Sequence, residues 1–223
     1  MKISCLYYFN AKRNYFSAPF CTFTNKLLYM FDMLFEHLAR FVRINEQEQE
    51  ILRAKLKYKK VSKKEFLLKQ GQICSGNYFV LSGCIRLYSI TDNGAEQILQ
   101  FAIPGWWISD YHSFQNNIPS TYNIQVVEDA EIAIITRSDS DELFQQIPVL
   151  NNYFRLLMQR AYTAALRKME LLLVTSAEDR YFQFVKTYPE FVQRVPQYML
   201  ASFLGMTPEF LSMLRAKVKS AGN

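Results

Sequence analysis

Gln197-Tyr198-Met199-Leu200-Ala201-Ser202-Phe203-Leu204-Gly205-Met206-Thr207-Pro208-Glu209-Phe210-Leu211-Ser212-Met213-Leu214-Arg215 reads as two short helices hinged at a glycine. Gly205 suits the position just past the first helix, where a residue without a Cβ takes the left-handed backbone at no steric cost. Thr207 suits the cap of the second helix, Pro208 its first position and Glu209 its electropositive end. Leu200, Phe203, Leu204, Met206, Leu211 and Leu214 fall where two crossing helices would share a small apolar core.

Counted from Gln197, the small Ala201 is fifth, Gly205 ninth, Leu211 fifteenth and Leu214 eighteenth. That spacing resembles the helix-turn-helix of bacterial repressors and activators, whose second helix enters the DNA major groove. Thr207, Glu209, Ser212, Met213, Arg215, Lys217 and Lys219 are then the candidate DNA-binding residues, with the cations after the reading helix serving phosphates. A plain helical hairpin with a glycine corner and a basic end would carry the same residues. The rest of the chain decides between them.

A length of 223 residues allows one large domain or two modest ones. Half of the residues are apolar, yet no run of 18 uncharged apolar residues is present, so no membrane span is expected. The first twenty residues lack a continuous apolar stretch and a small-residue cleavage site, and do not read as a signal peptide. Cys5, Cys21, Cys74 and Cys84 are spaced for neither a disulfide framework nor a zinc knuckle. Reduced thiols, no metal and a cytoplasmic location are the expectation. The net charge of +6 is uneven: residues 91–142 hold nine acids against Arg137 alone, while residues 40–69 hold ten bases against four acids.

Residues 1–29 carry four bases, no acid and no sustained period, and residues 1–33 read as an extension, with Met30 or Met33 as a candidate physiological start. A short helix is expected over 34–42, and Asn45 with Glu48 reads as a capping box for a second, 46–56, followed by a basic connector, 57–64. Five of the seven glycines lie between 71 and 105 and separate short runs rich in β-branched and aromatic residues. These are 66–68, 78–81, 85–90, 97–101, 122–127 and 131–135, with Asn93-Gly94 marking a tight hairpin. A small antiparallel β-barrel or sandwich is expected over 34–148 with its flanking helices, and a short helix over 141–147.

Val149 to Val174 reads as a long helix of about 39 Å at 1.5 Å per residue. Phe154, Leu157, Ala161 and Ala164 have heptad-like spacing and are the candidate dimer interface; burial inside a monomer is the other reading. Ser176 with Asp179 can cap a helix over 177–187, ending at Tyr188-Pro189. The fold class is therefore α+β. A barrel region (34–148) precedes a long helix (149–175) and a helix-turn-helix domain (176–223).

That order of parts resembles the Crp/Fnr superfamily of bacterial transcription regulators, and most closely its short Bacteroidetes-type members. The resemblance covers about residues 34–219. It is carried by Tyr78-Phe79-Val80-Leu81-Ser82-Gly83-Cys84-Ile85-Arg86-Leu87-Tyr88, by Pro104-Gly105-Trp106-Trp107 and by Leu204 to Ser212. It implies a cyclic-nucleotide-binding-type sensor barrel of jelly-roll type over 34–148, a dimerisation helix over 149–175 and a winged-helix-like DNA-binding domain over 176–223. It also implies a homodimer on a near-palindromic DNA site, and RNA polymerase as a further partner. Members that bind cyclic AMP use a Gly-Glu pair for the ribose and an Arg with Ser or Thr for the phosphate. Here Ser109 stands about where that Glu would be, Pro119-Ser120-Thr121-Tyr122 has no Arg, and no Lys or Arg occurs from Thr91 to Thr136. A cyclic phosphate would lose its hydration with no cation to pair it, so tight cyclic AMP binding is not expected.

Trp106, Trp107, Ser109, Asp110, Ser120, Thr121 and Tyr122 are the candidate pocket for an unknown small-molecule effector, with Tyr111 and Phe114 as further aromatic lining; core filling is the alternative. The cysteines are too few and too scattered for an iron–sulfur cluster, and two histidines, His37 and His112, do not suggest a heme, so no cofactor is expected. The resemblance also implies Glu, then Ser, then Arg on the recognition helix. Glu209 and Ser212 match, and Met213 stands in the Arg place, removing a guanine contact. No catalytic carboxylate pair, nucleophile–base pair or phosphate loop is present, so an enzyme is not expected. The competing reading is a degenerate ligand-sensing or scaffold module without sequence-specific DNA binding.

Overall fold

Asn45 Oδ1 accepts from the N–H of Glu48 at 2.9 Å, and the Glu48 carboxylate accepts from the N–H of Asn45 at 2.8 Å. The two residues thus satisfy each other's orphan amides and start helix α2 (Glu46–Lys55) as expected. In the computed structural model, which describes residues 30–221, α1 (Asp32–Ala39) precedes it. Of the extension expected over residues 1–33, residues 1–29 lie outside the described residues, as does the side chain of Lys219, while Asp32 and Met33 belong to α1, which starts two residues before the expected 34.

The chain divides into two compact units, the first formed by residues 30–90 with Leu99–Leu157, the second by Thr91–Ile98 with residues 158–221. The first unit is built on an antiparallel sheet of β1 (Lys57–Val61), β2 (Phe66–Leu68), β3 (Gly76–Ile90), the Leu99–Ala102 part of β4 (Glu96–Ala102), β5 (Trp107–Ile108) and β6 (Asn123–Thr136). Strand order is β1-β6-β3-β4, with β2 also on β6 and β5 on β3. The expected barrel is therefore an open sheet, not a closed one.

Four expected strands merge into two. Residues 78–81 and 85–90 are one strand, β3, and residues 122–127 and 131–135 are essentially one, β6. The interruption that looked like a turn is a bulge at Gly83, whose φ of +84° only glycine adopts without strain. A Cβ there would also stand 2.7 Å from Ala130 Cα. The bulge switches the parity of β3: Tyr78 and Val80 face the inner core before it, Ile85 and Leu87 after it.

The two faces of the sheet serve two cores. Tyr78, Val80, Ile85, Leu87, Ile124, Val126 and Ile132 pack inside the roll. Phe79, Ala133 and Ile135 point the other way, onto Leu34, Leu38, Leu52, Leu143, Leu150 and Tyr153 from the helices. The stretch read as a basic connector, 57–64, contains β1, whose lysines point to solvent from a sheet edge while Val61 is buried. Lys59 pairs with Glu65 at 2.8 Å and Lys60 with Glu131 at 3.1 Å, which explains how a lysine-rich run sits at a sheet edge. Helix α3 (Tyr111–Asn116) was not anticipated, and α4 (Arg137–Gln146) begins four residues earlier than expected because Thr136 caps it.

Helix α5 (Val149–Val174) has the expected bounds, and α6 (Ala177–Thr187) is capped by Ser176, whose Oγ accepts from Asp179 N at 3.1 Å. That helix ends at Thr187, just before Tyr188-Pro189, as expected, and Pro189 also opens a short helix, α7 (Pro189–Arg194), at the position where a missing N–H costs nothing. Helices α8 (Gln197–Leu204) and α9 (Pro208–Ala221) follow. No strand follows α5 among the described residues, so the winged feature is not seen there.

Candidate nucleic-acid interface and sensor site

Within the second unit, Gly205 takes φ +66° and ψ 44°, and the Met206 N–H bonds back to Ala201 O at 3.0 Å, closing α8 in a Schellman turn. Thr207 Oγ1 accepts from Phe210 N at 3.2 Å and starts α9. Leu200, Ala201, Leu204, Leu211 and Leu214 are buried together with Tyr181 and Val192, which holds the two helices in a fixed crossing. The opposite side of α9 is open: Thr207, Glu209, Ser212, Met213 and Ala216 are exposed. The last four repeat at intervals of three, one and three residues, a single helical face.

Of the expected cations, Arg215 is half-buried and lies beside Tyr181, whose hydroxyl burial pushes up in pKa while the guanidinium partly offsets that. Lys217 Nζ lies 3.6 Å from Glu178, an exposed pair weak enough for Lys217 to exchange for a phosphate.

Three residues that the sequence reading passed over hold this reader. Arg180, in the first turn of α6, donates to carbonyls of Leu171, Leu172 and Thr175 at the end of α5 and to Leu204 and Gly205 at the corner. A cation near a helix N-terminus opposes the macrodipole, and that mismatch was the available signal. Lys168 on α5 places Nζ 3.7 Å over the Phe203 ring, and burial lowers its pKa to about 8. Ser202 Oγ donates to Glu96 O at 2.8 Å and accepts from Ile98 N at 2.9 Å, while its own carbonyl accepts from Gln97 Nε2 at 2.8 Å. A serine inside a helix signals such a task, because its hydroxyl gains little there.

Helix α5 offers a different stripe from the one expected. Leu157 is 3% exposed, in the core of the first unit, and Phe154 packs on Trp107 and Phe144. Ala161 and Ala164 are exposed, as are Met158, Tyr162, Ala165 and Met169, which follow at intervals of four, three and four. Both stripes are apolar in sequence; which one the chain uses for itself depends on where the sheet lies.

In the first unit the candidate pocket residues do not form one lining. Trp106 packs on the inner core, whereas Trp107 belongs to the outer one and donates from Nε1 to Tyr153 Oη at 2.8 Å. Trp106 closes the turn before β5, its N–H bonding Ile103 O at 3.0 Å, and Trp107 opens the strand, so the two rings pack on different cores. Thr121 is exposed, and Tyr122 packs partly buried against the inner core.

Ser109, Asp110 and Ser120 are buried, and the chain saturates them itself. Ser109 Oγ donates to Gly76 O at 3.0 Å. Asp110 Oδ1 accepts from the amides of His112 at 3.1 Å and Ser113 at 3.2 Å, capping α3, and Oδ2 accepts from Ser120 Oγ at 2.6 Å. Among the described residues no cation pairs with Asp110, whose carboxylate is served by amides and a hydroxyl instead.

Residues 58–147 match the cyclic nucleotide-binding domain family. An anaerobic regulatory protein of Haemophilus influenzae is 28% identical over 191 residues, 80% of this chain and 74% of that one. A transcriptional activator, anr, of Pseudomonas aeruginosa is 32% identical over 127 residues, 56% of this chain and 50% of that one. Among solved structures, FixK2 from Bradyrhizobium japonicum shares the fold with a TM-score of 0.62 at 18% identity, covering 75% of this chain and 86% of that one. No helix among the described residues is long and apolar enough to cross a membrane. The sequence relatives run through the cyclic nucleotide-binding-type domain into the helices that follow it, and over that span the chain is similar to transcription regulators of the Crp/Fnr superfamily.

Proposed function

We propose that this chain regulates transcription as a homodimer that binds a near-palindromic DNA site through helix α9. The observation that carries the reading is the outward face of Glu209, Ser212 and Met213, held away from the core by the Gly205 corner. Glu209 would accept from a cytosine amino group, Ser212 would bond a base edge or phosphate, and Thr207 and Lys217 would meet the backbone. The exposed stripe of Met158, Tyr162, Ala165 and Met169 supports pairing of α5 with its twin. Two α9 helices would then stand roughly 34–36 Å apart, one DNA turn. RNA polymerase is the further partner that this role carries with it.

The sensor unit does not use cyclic AMP. Asp110 and Ser120 satisfy each other where the nucleotide phosphate would bind, and their arrangement supports a structural role for that site. Fluorescence anisotropy on a genomic fragment library, repeated across salt, tests the reading. Sequence-selective, salt-sensitive binding is expected. No binding at any salt would leave a scaffold or ligand-sensing module.

A further inference from the structure

The outward face of α9 carries the anion Glu209, the hydroxyl of Ser212, the methyl of Ala216, the cation Lys217 and, at its centre, the thioether chain of Met213, 46% exposed. Among the described residues Arg215 is half-buried beside Tyr181, about 200° around the helix from Met213, and Lys217, one turn further on, lies 3.6 Å from Glu178, so Met213 itself fills the middle of that face. Met213 has no donor to offer guanine O6 and N7, and covering those acceptors with a thioether would strip their water without replacement. Thymine is the base that presents an apolar group, its C5-methyl, in the major groove. Glu209 lies one helical turn earlier, about 6 Å along the axis, which is roughly two base steps of 3.4 Å.

We propose that Met213 is a specificity-determining residue that reads the C5-methyl of a thymine about two base pairs from the cytosine read by Glu209. The inference rests on the DNA-binding reading above and adds to it the identity of a base. A half-site selected by this chain therefore pairs a cytosine with a nearby thymine and carries no guanine preference at the Met213 position.

The test begins with selection of bound sequences by the full chain. Each thymine of the selected half-site is then replaced singly by deoxyuridine, which keeps the pairing and the O4 acceptor and lacks only the methyl. One replacement is expected to weaken binding about fourfold, the equivalent of one methyl group left in water. Met213→Ala should bind the two operators equally, and Met213→Arg should shift selection toward guanine at that position. Selective binding by the parent chain with no deoxyuridine penalty anywhere would overturn the role of Met213. So would a penalty that persists in Met213→Ala. Failure to select any sequence would instead overturn the DNA-binding reading itself, and the base assignment with it.

Discussion

The Nε of Arg180 donates to the carbonyl oxygen of Leu204 at 3.0 Å, while Nη1 of the same guanidinium reaches Thr175 O at 2.6 Å. One side chain thus serves the unsatisfied carbonyls at the ends of two helices, α5 and α8. The angle at which the reader leaves the long helix is held by a planar fork that no other side chain reproduces.

Arg180→Ala should lower the unfolding free energy by about 1–3 kcal/mol, since several carbonyls lose a charged donor at once. Its DNA affinity should fall with it. Arg180→Lys, with a point charge in place of the fork, should recover only part of either. Thermal unfolding followed by anisotropy on the selected operator measures both, and parent-like behaviour of the alanine variant would refute the clamp.

Gly83 and Gly105 both have positive φ, yet substitution should not cost the same. At Gly105 a Cβ meets nothing within 4 Å, so alanine should cost only the left-handed strain, about 1–2 kcal/mol. At Gly83 it meets the backbone of Asp129 and Ala130 across the bulge, and the variant should be recovered unfolded or insoluble. Circular dichroism and soluble yield compare the pair.

Asp110→Ala removes the cap of α3 and the partner of Ser120, and should destabilise by roughly 1–3 kcal/mol. Asp110→Asn keeps an acceptor for the two amides and should cost less. Isothermal calorimetry should detect no micromolar cyclic AMP binding by the parent or by either variant. A micromolar dissociation constant for the parent would contradict the closed, anionic site.

Burial holds Lys168 at about 8, below its usual 10.5. Between those values the unfolded chain binds the proton more readily than the folded one, so stability should rise with pH there; below about 8 the cost of the buried charge is in full force. Tyr58 and Tyr78, pushed up to about 12 chiefly by burial, act in the opposite sense above pH 10, where the unfolded tyrosines ionise first. Lys168→Met should therefore flatten the rise between pH 8 and 10 and stabilise the chain at pH 7 by about 1–3 kcal/mol, less what the Phe203 contact supplied. Denaturant melts of the two proteins at pH 7, 8, 9 and 10 give the difference directly.

On α5, two substitutions separate the two stripes. Tyr162→Glu should leave the fold intact, shift the sedimentation coefficient to that of a monomer and weaken operator binding at least tenfold, because two half-sites no longer act together. Leu157→Ala should instead destabilise each chain by about 2–5 kcal/mol through the cavity it leaves. Tyr162→Glu that still sediments as a dimer would place the interface elsewhere.

Much of the reader was legible without coordinates. The Gly205 corner, the Thr207 cap and the buried Leu211 and Leu214 follow from spacing alone, because a helix repeats every 3.6 residues and a left-handed corner favours glycine. The strands were harder. Gly83 looked like a turn, and a glycine bulge differs from a turn only in what the neighbouring strand does. The lysines of β1 masked a strand, since edge strands carry charge to stay unpaired.

By itself the sequence determined the order of parts, the helix caps, the absence of Lys and Arg from residues 91–136 and the presence of a methionine at position 213. These depend on neighbours within a few residues or on which residue types are present at all. Tertiary structure alone decided which stripe of α5 stays exposed, which way each tryptophan points, how Asp110 and Ser120 close their site, and that Arg180 joins α5 to the reader. Each of these brings together residues from different elements, and local propensity carries no information about which distant backbone group a side chain will meet.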